Sequence, residues 1–134
     1  MPRGGTLLQT PSAGEVAQPD VPTCRLDERL QDVRVRVQAT EWDTAIVVTE
    51  NGVVLGRLGR DALRREDDVS VEDAMTEGPS TVRPSIGVDA LLERMARRNN
   101  RMALITTPDG RLVGVVRKED AEARLSARSR DKAE

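Results

Sequence analysis

Several residue types that enzymes commonly use are missing from this chain. Its 134 residues include no His, Tyr or Phe, one Trp and one Cys. Without histidine the chain cannot build a Ser-His-Asp or Cys-His catalytic system, or a zinc site of the Cys2His2 or three-His kind. Without paired aromatic side chains it cannot build the stacking platforms that bind single-stranded nucleic acid. We therefore expect none of these three kinds of site, and no required cofactor.

Cysteines and long apolar runs are scarce as well. The single cysteine, Cys24, argues against a disulfide framework and fits a reducing compartment. No apolar run approaches the roughly 20 residues of a membrane span, and Leu7-Leu8 is too short for the core of a signal peptide. We expect a cytoplasmic protein that does not associate with membranes.

Charge of one sign is lacking although charged residues are abundant. The chain has 21 basic and 23 acidic residues, for a net charge of −2. This balance gives no overall field that would attract a polyanion, so we do not expect nucleic acid as a partner. A stripe of arginines at helical spacing, Arg94, Arg97 and Arg101, keeps a nucleic-acid accessory role open as the weakest alternative.

The chain contains an internal repeat with an offset of 58 residues and no gap. Each copy predicts a short strand, a helix, a strand, a tight turn, a second strand and a helix. A 58-residue unit of this kind exposes too much of its sheet to be stable alone, so the two copies should pack together. The identical pairs are Thr23/Thr81, Arg25/Arg83, Ala45/Ala103, Thr49/Thr107, Gly52/Gly110 and Gly56/Gly114.

Composition and periodicity divide the chain into five segments. The repeats occupy residues 21–68 and 79–125, and a linker helix with Ser70 as its N-cap lies within 69–78. Residues 1–20 carry Gly, Pro and Ser without apolar periodicity and are predicted to be a disordered arm. Residues 126–134 are predicted to be a frayed tail.

The second copy resembles a CBS motif, the module named after cystathionine β-synthase. Because the pattern repeats, residues 21–125 resemble a tandem CBS pair, or Bateman module. The resemblance implies an α+β fold in which two pseudo-symmetric motifs, each β-α-β-β-α, pack through their sheets. It rests on Ala74-Met75-Thr76, Ser80 to Pro84, the helix from Val88 to Met95, Arg101 to Ile105, Asp109 to Val116, and Asp120.

The resemblance also implies a ligand site. The family's pattern, Gly-h-h-Thr/Ser-x-x-Asp, is met in the second copy by Gly114 and Asp120, with Arg117 in place of Thr or Ser. In that family the Asp binds the ribose hydroxyls, and a guanidinium at the Thr/Ser position, the fourth of the pattern, can bind phosphate. Asp120 also has a plainer interpretation as an acid in the first turn of a helix.

The first copy departs from the pattern. Gly59 and Ala62 take the Thr/Ser and Asp positions, and Asp61 comes one residue early, which on a helix turns its side chain by about 100°. We expect this first cleft to be degenerate and the cleft of the second copy to be competent.

Further residues extend the site that the resemblance implies. Arg101 would reach the phosphates, Thr81 and Val82 would present backbone groups to the adenine edge, and Met75 and Val115 would cover the base. The plainer interpretations are a solvated arginine, an edge strand, and ordinary core side chains.

The main hypothesis is a non-catalytic regulatory module that binds AMP, ADP, ATP or S-adenosylmethionine in the second cleft. It would signal to an unidentified effector protein through the geometry of a homodimer. The alternative is a structural dimerisation module that has lost ligand binding, which the residues Gly59, Ala62 and Arg117 would favour.

Overall fold

Helices and strands follow each other in two copies of one pattern. The computed structural model describes residues 10–133, with side chains through residue 127. No helix in that range is both long enough and apolar enough to cross a membrane. The elements are α1 (Ala13–Val16), β1 (Thr23–Cys24), α2 (Leu30–Gln38), β2 (Ala45–Val48), β3 (Val54–Leu58), α3 (Arg60–Leu63), α4 (Val71–Ala74), β4 (Thr76–Glu77), β5 (Thr81–Val82), α5 (Val88–Arg98), β6 (Met102–Thr106), β7 (Leu112–Arg117) and α6 (Lys118–Ala133).

Each half of the chain builds its own sheet. The first sheet has the strand order β1-β2-β3-β4 and the second has the order β5-β6-β7. In both, a short parallel strand flanks an antiparallel hairpin, as the repeat predicts. The predicted α+β fold of two pseudo-symmetric motifs is confirmed.

The two hairpin turns bind each other. The Val54 N–H donates to the Gly110 carbonyl and the Leu112 N–H donates to the Gly52 carbonyl, both at 3.0 Å. The two glycines have φ values of +85° and +87°, a region that favours glycine because it has no Cβ. These bonds exchange with each other under the offset of 58, so a pseudo-twofold axis passes between the turns.

The sheets also share apolar side chains. A buried cluster contains residues of both halves, so the halves pack through their sheets as expected. Its members are Val21, Trp42, Ile46, Val48, Leu104 and Val115.

Two short helices are exchanged between the halves. Helix α4 precedes the second repeat yet packs its Val71 into the core of the first repeat. Helix α1 precedes the first repeat yet packs Ala13 and Val16 into the core of the second repeat. The Ser70 Oγ caps α4 by accepting from the Asp73 N–H at 3.3 Å, as predicted.

The ends of the ordered chain differ from the sequence-based boundaries. The predicted arm, residues 1–20, contains α1, in which Ala13 is fully buried, so residues 10–20 are packed; residues 1–9 lie outside the described range. A four-residue helix offers too few apolar positions to show a period. At the other end, α6 continues through the predicted tail to Ala133.

Candidate functional site

Two glycines mark the points where the exchanged segments cross the sheets. A Cβ on Gly56 would lie 2.5 Å from the Met75 Sδ and 2.8 Å from the Thr76 carbonyl oxygen. A Cβ on Gly114 would lie 2.7 Å from the Gln18 carbonyl oxygen. Glycine is therefore required at position 56 by the close approach of the backbone that follows α4, and at position 114 by that of the backbone that follows α1.

A cavity of about 480 Å³ opens beside the first repeat, and we call it the first cavity. Its walls come from the start of α3, from the segment that crosses between the sheets, and from the second repeat. The lining includes Gly59, Asp61, Thr76, Pro79, Ser80, Asn100, Met102 and Leu104.

A second opening of about 430 Å³, the arginine cavity, adjoins the first. Arg57, Arg60 and Met102 line both, so the two form one continuous groove between the repeats. Four guanidinium groups surround the arginine cavity, those of Arg57, Arg60, Arg101 and Arg117, together with the carboxylates of Glu41, Asp43 and Glu119.

Neighbouring groups hold three of these arginines in place. Arg60 donates to the Asp43 Oδ2 from Nη2 at 2.6 Å and from Nε at 3.1 Å, and this bond holds the pKa of Asp43 below its usual range. The Arg57 Nε donates to the Thr44 Oγ1 at 3.2 Å. The Arg117 guanidinium lies over the indole of Trp42.

Arg101 has an exposed side chain, and a backbone hydrogen bond fixes its place at the arginine cavity. Its carbonyl accepts from the Lys118 N–H at 2.8 Å, which sets Arg101 beside the start of α6 and close in space to Arg117, the residue before Lys118. The cavity thus presents several guanidinium groups at once, an arrangement suited to phosphate oxygens.

The cleft of the second repeat is closed by the chain itself. The Gln18 Nε2 donates to the Asp120 carboxylate, and the Gln18 backbone exchanges bonds of 2.8 and 3.0 Å with Val115. Trp42, 7% exposed, is packed beneath Arg117, and its Nε1 reaches the Asp20 carboxylate at 3.5 Å.

The offset of 58 explains why one cleft is open and the other filled. Residues that line the first cavity, Pro79, Asn100, Met102 and Leu104, correspond to Val21, Trp42, Thr44 and Ile46 in the second cleft. These four counterparts are all buried. The large Trp42 indole occupies the place of the smaller Asn100 side chain.

The structure divides the eight predicted site residues into three groups. Arg101 and Arg117 meet in the arginine cavity, whereas Gly114, Val115 and Asp120 lie under or beside Gln18. Met75 lies against Gly56 of the first repeat, and the exposed Thr81 and buried Val82 follow Ser80 of the first cavity. The chain crosses from β4 to β5 at this point, so the linker residues belong to the first cavity and not to the Asp120 side.

Sequence reasoning missed three residues that shape these clefts. Gln18 would have been found by extending the 58-residue offset toward the N-terminus, where Ser12 meets Ser70 and Gln18 meets Thr76. Trp42 lies outside the residues of the family pattern. Asp61 was expected to turn away, yet it lines the first cavity because α3 is a single turn that begins at Arg60.

The described residues include no group of three or more His, Cys, Asp or Glu side chains that could hold a metal ion. The polar groups that converge on the groove are guanidinium groups, carboxylates and hydroxyls, which suit an organic anion.

Comparison with known proteins identifies the architecture. Residues 71–126 match the CBS domain model. The CBS domain pair of protein MJ0100, solved with 5′-methylthioadenosine and S-adenosyl-L-methionine, matches with a TM-score of 0.76 at 15% identity, covering 89% of this chain and 98% of that one. CBSX2 in complex with AMP matches with a TM-score of 0.77 at 17% identity, covering 87% and 98%.

A third structure is the cytosolic domain of the Mg²⁺ channel MgtE in complex with ATP. It matches with a TM-score of 0.77 at 22% identity, covering 84% of this chain and 48% of that chain. The present chain thus spans about half the length of that protein's solved domain. A search of curated protein sequences finds no match.

The fold is therefore that of a CBS domain pair, a Bateman module. Within it, residues 71–126, which make up less than half of the chain, match the CBS domain model.

Proposed function

We propose that this CBS pair is a non-catalytic regulatory module that binds an adenosine nucleotide in the groove between its repeats. The observation that carries the proposal is the convergence of four arginines on a cavity that continues into the first cavity. Three related CBS structures were solved with ATP, with AMP, and with S-adenosylmethionine and methylthioadenosine, which supports the ligand class.

The phosphate end of the nucleotide belongs in the arginine cavity. Arg101 and Arg117, two of the predicted phosphate ligands, both line it. Charge-assisted bonds from a guanidinium to a phosphate are about twice as strong as neutral hydrogen bonds. ADP and ATP should therefore bind more tightly than AMP, because they bring more charge to the four arginines.

The adenosine end belongs in the first cavity. Its volume of about 480 Å³ lies within the range of about 300–1,000 Å³ that is typical of small-molecule sites. Met102, Leu104 and Pro79 supply apolar wall for a base. Asp61 supplies the carboxylate that can accept from both ribose hydroxyls.

The alternative ribose ligand is Asp120, which the family pattern favours. A nucleotide could reach it only by displacing the Gln18 amide and the packed Trp42 side chain. We therefore propose the first cavity as the site and retain Asp120 as the competing assignment.

Calorimetric titration with AMP, ADP, ATP and S-adenosylmethionine tests the proposal. Asp61→Asn should weaken binding about tenfold or more, while Asp120→Asn should leave the affinity unchanged. On the phosphate side, Arg101→Gln should weaken ATP binding about tenfold. The matched control is Arg97→Gln, an exposed arginine four residues earlier that lies outside the groove.

The opposite result, loss with Asp120→Asn and none with Asp61→Asn, would return the site to the second cleft. If none of the four ligands binds at millimolar concentration, the second candidate function stands. That candidate is a structural dimerisation module, favoured by the second cleft being filled with the chain's own side chains.

The output of the module would pass to an effector protein through a homodimer. Val35 on α2, whose side chain is 67% exposed, is the position at which we test for contact with a second copy. Sedimentation analysis should show a dimer that Val35→Glu converts to monomer. Cys24 is buried and unpaired, in keeping with a reducing cytoplasm as the place of action.

A further inference from the structure

A third, smaller cavity lies between α2 and α3, and we call it the Trp42 cavity. Its volume is about 240 Å³, below the roughly 300 Å³ at which sites for drug-sized ligands begin. A nucleotide is therefore too large for it. Its lining includes Arg34, Val37, Trp42, Leu63 and Arg64, together with the Asp43–Arg60 pair at its edge.

Part of the wall is apolar and well packed. Val37, Trp42 and Leu63 all belong to the buried core, and each still presents surface to this cavity. An apolar group that entered would exchange water for contact with an indole and two aliphatic side chains. Such burial is favourable by about 25 cal/mol per Å².

The remaining wall carries two guanidinium groups, those of Arg34 and Arg64, that have no carboxylate partner among the described residues. The Arg34 Nε donates to the Leu63 carbonyl at 2.8 Å, while its Nη2 is buried and has no hydrogen-bond partner among the described residues. A buried polar group left in this state is costly and rare. Arg64 forms no ion pair with any residue in the described range, whereas Arg60 is bound to Asp43.

We propose that the Trp42 cavity binds a small organic monocarboxylate with a short apolar chain. The carboxylate lies between Arg34 and Arg64 and, once the Arg34 guanidinium turns toward it, supplies the acceptor that the Arg34 Nη2 lacks. The apolar chain lies along Val37, Trp42 and Leu63. Inorganic phosphate or sulfate would leave the apolar wall in contact with water.

The same cavity is physically connected to the arginine cavity. Asp43 and Arg60 line both, and the Trp42 ring lies beneath Arg117, which lines the arginine cavity. A carboxylate between Arg34 and Arg64 brings negative charge next to the Asp43–Arg60 pair, and its apolar chain packs against the indole that lies beneath Arg117. Occupancy of one cavity therefore changes the affinity of the other, a coupling that rests on the proposed nucleotide function.

Hexanoate is the probe for the site itself. Trp42 is the only tryptophan, so the indole N–H gives a single assigned peak in a ¹H–¹⁵N spectrum. Hexanoate should shift this peak saturably, with a dissociation constant on the order of 1 mM. Hexan-1-ol, which has the chain without the charge, should give no saturable shift.

Arginine variants localise the effect. Arg34→Gln and Arg64→Gln should each weaken hexanoate binding about tenfold. Because Arg64 is exposed, its variant remains informative if Arg34→Gln does not fold. Arg83→Gln, an exposed arginine outside the cavity, should leave the affinity unchanged. The site is overturned if the native protein shows no saturable shift, or if the Arg83 variant loses binding as the other two do.

A separate experiment tests the coupling between the Trp42 cavity and the arginine cavity. ATP is titrated by calorimetry with and without saturating hexanoate, and its affinity should change at least threefold, with the same factor for hexanoate in the presence of ATP. An unchanged ATP affinity overturns the coupling and leaves the carboxylate site standing. If ATP itself does not bind, the nucleotide function is overturned, and the hexanoate titration still decides the site.

Discussion

The guanidinium carbon of Arg117 lies 3.9 Å from the centroid of the Trp42 ring. One residue comes from the end of β7 and the other from the loop before β2, so the stack joins the two repeats across their shared core. It also joins two surfaces, since Arg117 lines the arginine cavity and Trp42 lines the smaller one. Cation–π contacts of this kind contribute from about 0.5 to 2 kcal/mol.

Replacing Trp42 should therefore destabilise the protein, and the loss should be smaller when the new side chain is aromatic. Trp42→Ala removes a buried indole and should lower the free energy of unfolding by about 3–5 kcal/mol. Trp42→Phe keeps a ring beneath Arg117 and should cost appreciably less. Urea unfolding followed by circular dichroism measures both. Equal losses for the two variants would show that an aromatic ring at position 42 contributes nothing to stability.

Gln18 should be responsible for closing the second cleft. Gln18→Ala should lower the free energy of unfolding by about 0.5–1.5 kcal/mol, because the partly buried Asp120 loses its donor. Gln18→Glu should cost more, because two carboxylates then face each other and the pKa of one is raised.

The pH dependence distinguishes that charge effect from lost packing. A raised folded-state pKa means that the penalty of Gln18→Glu is present at pH 7 and fades as the pH falls through that pKa toward 4. Denaturant unfolding at a series of pH values checks this. Gln38→Glu, at an exposed position on α2, is the control and should show no such recovery.

The two motif glycines should tolerate no side chain. Gly56→Ala and Gly114→Ala place a Cβ under 3.0 Å from carbonyl oxygens of the exchanged segments and should each cost about 1–3 kcal/mol. Gly59→Ala is the matched control, because the nearest atom to its Cβ would be 3.9 Å away. Thermal unfolding of the three variants decides whether the close approach is real.

Asp43 should limit how strongly Arg60 binds an anion. Asp43→Asn removes one negative charge from the arginine cavity and frees Arg60, so ATP should bind several-fold more tightly at low salt. Asp67→Asn breaks an equivalent pair, Arg65–Asp67 at 2.6 Å, outside the groove and should leave ATP affinity unchanged. Tighter binding in both variants would indicate a general charge effect.

Cys24 should report unfolding. Burial raises the pKa of its thiol to about 12. At pH 8 the folded protein should then react with a thiol reagent about a thousandfold more slowly than a free cysteine. The rate should rise with added urea in step with the loss of helical signal. Fast labelling of the native protein would contradict the buried position of Cys24.

The repeat made most of the framework predictable from the sequence. The alternation of apolar residues and the turns ending in Gly52 and Gly110 located the hairpins, and the Ser70 cap located α4. Helix α1 was not predicted because its burial depends on a surface more than 60 residues later in the chain. A four-residue segment carries no periodic signal of such a contact.

The site was less predictable because motif matching treats each repeat as self-contained. Asp120 satisfies the family pattern, but whether its cleft is open depends on Gln18 and Trp42, which lie outside the motif. Asp61 fails the pattern by one residue, yet the single turn of α3 brings it to the cavity wall. Steric occupancy of this kind depends on tertiary packing between distant segments.

The exchange of α1 also has a consequence for how the protein is made. The contact from Gln18 to Asp120 spans 102 residues, nearly the whole described chain. A ribosome releases Ala13 and Val16 long before the half that buries them exists. Ala13 and Val16 therefore have no core to pack into until synthesis is nearly complete. Folding should therefore be slow for a domain of this size, and the final docking of this segment should follow the formation of both sheets.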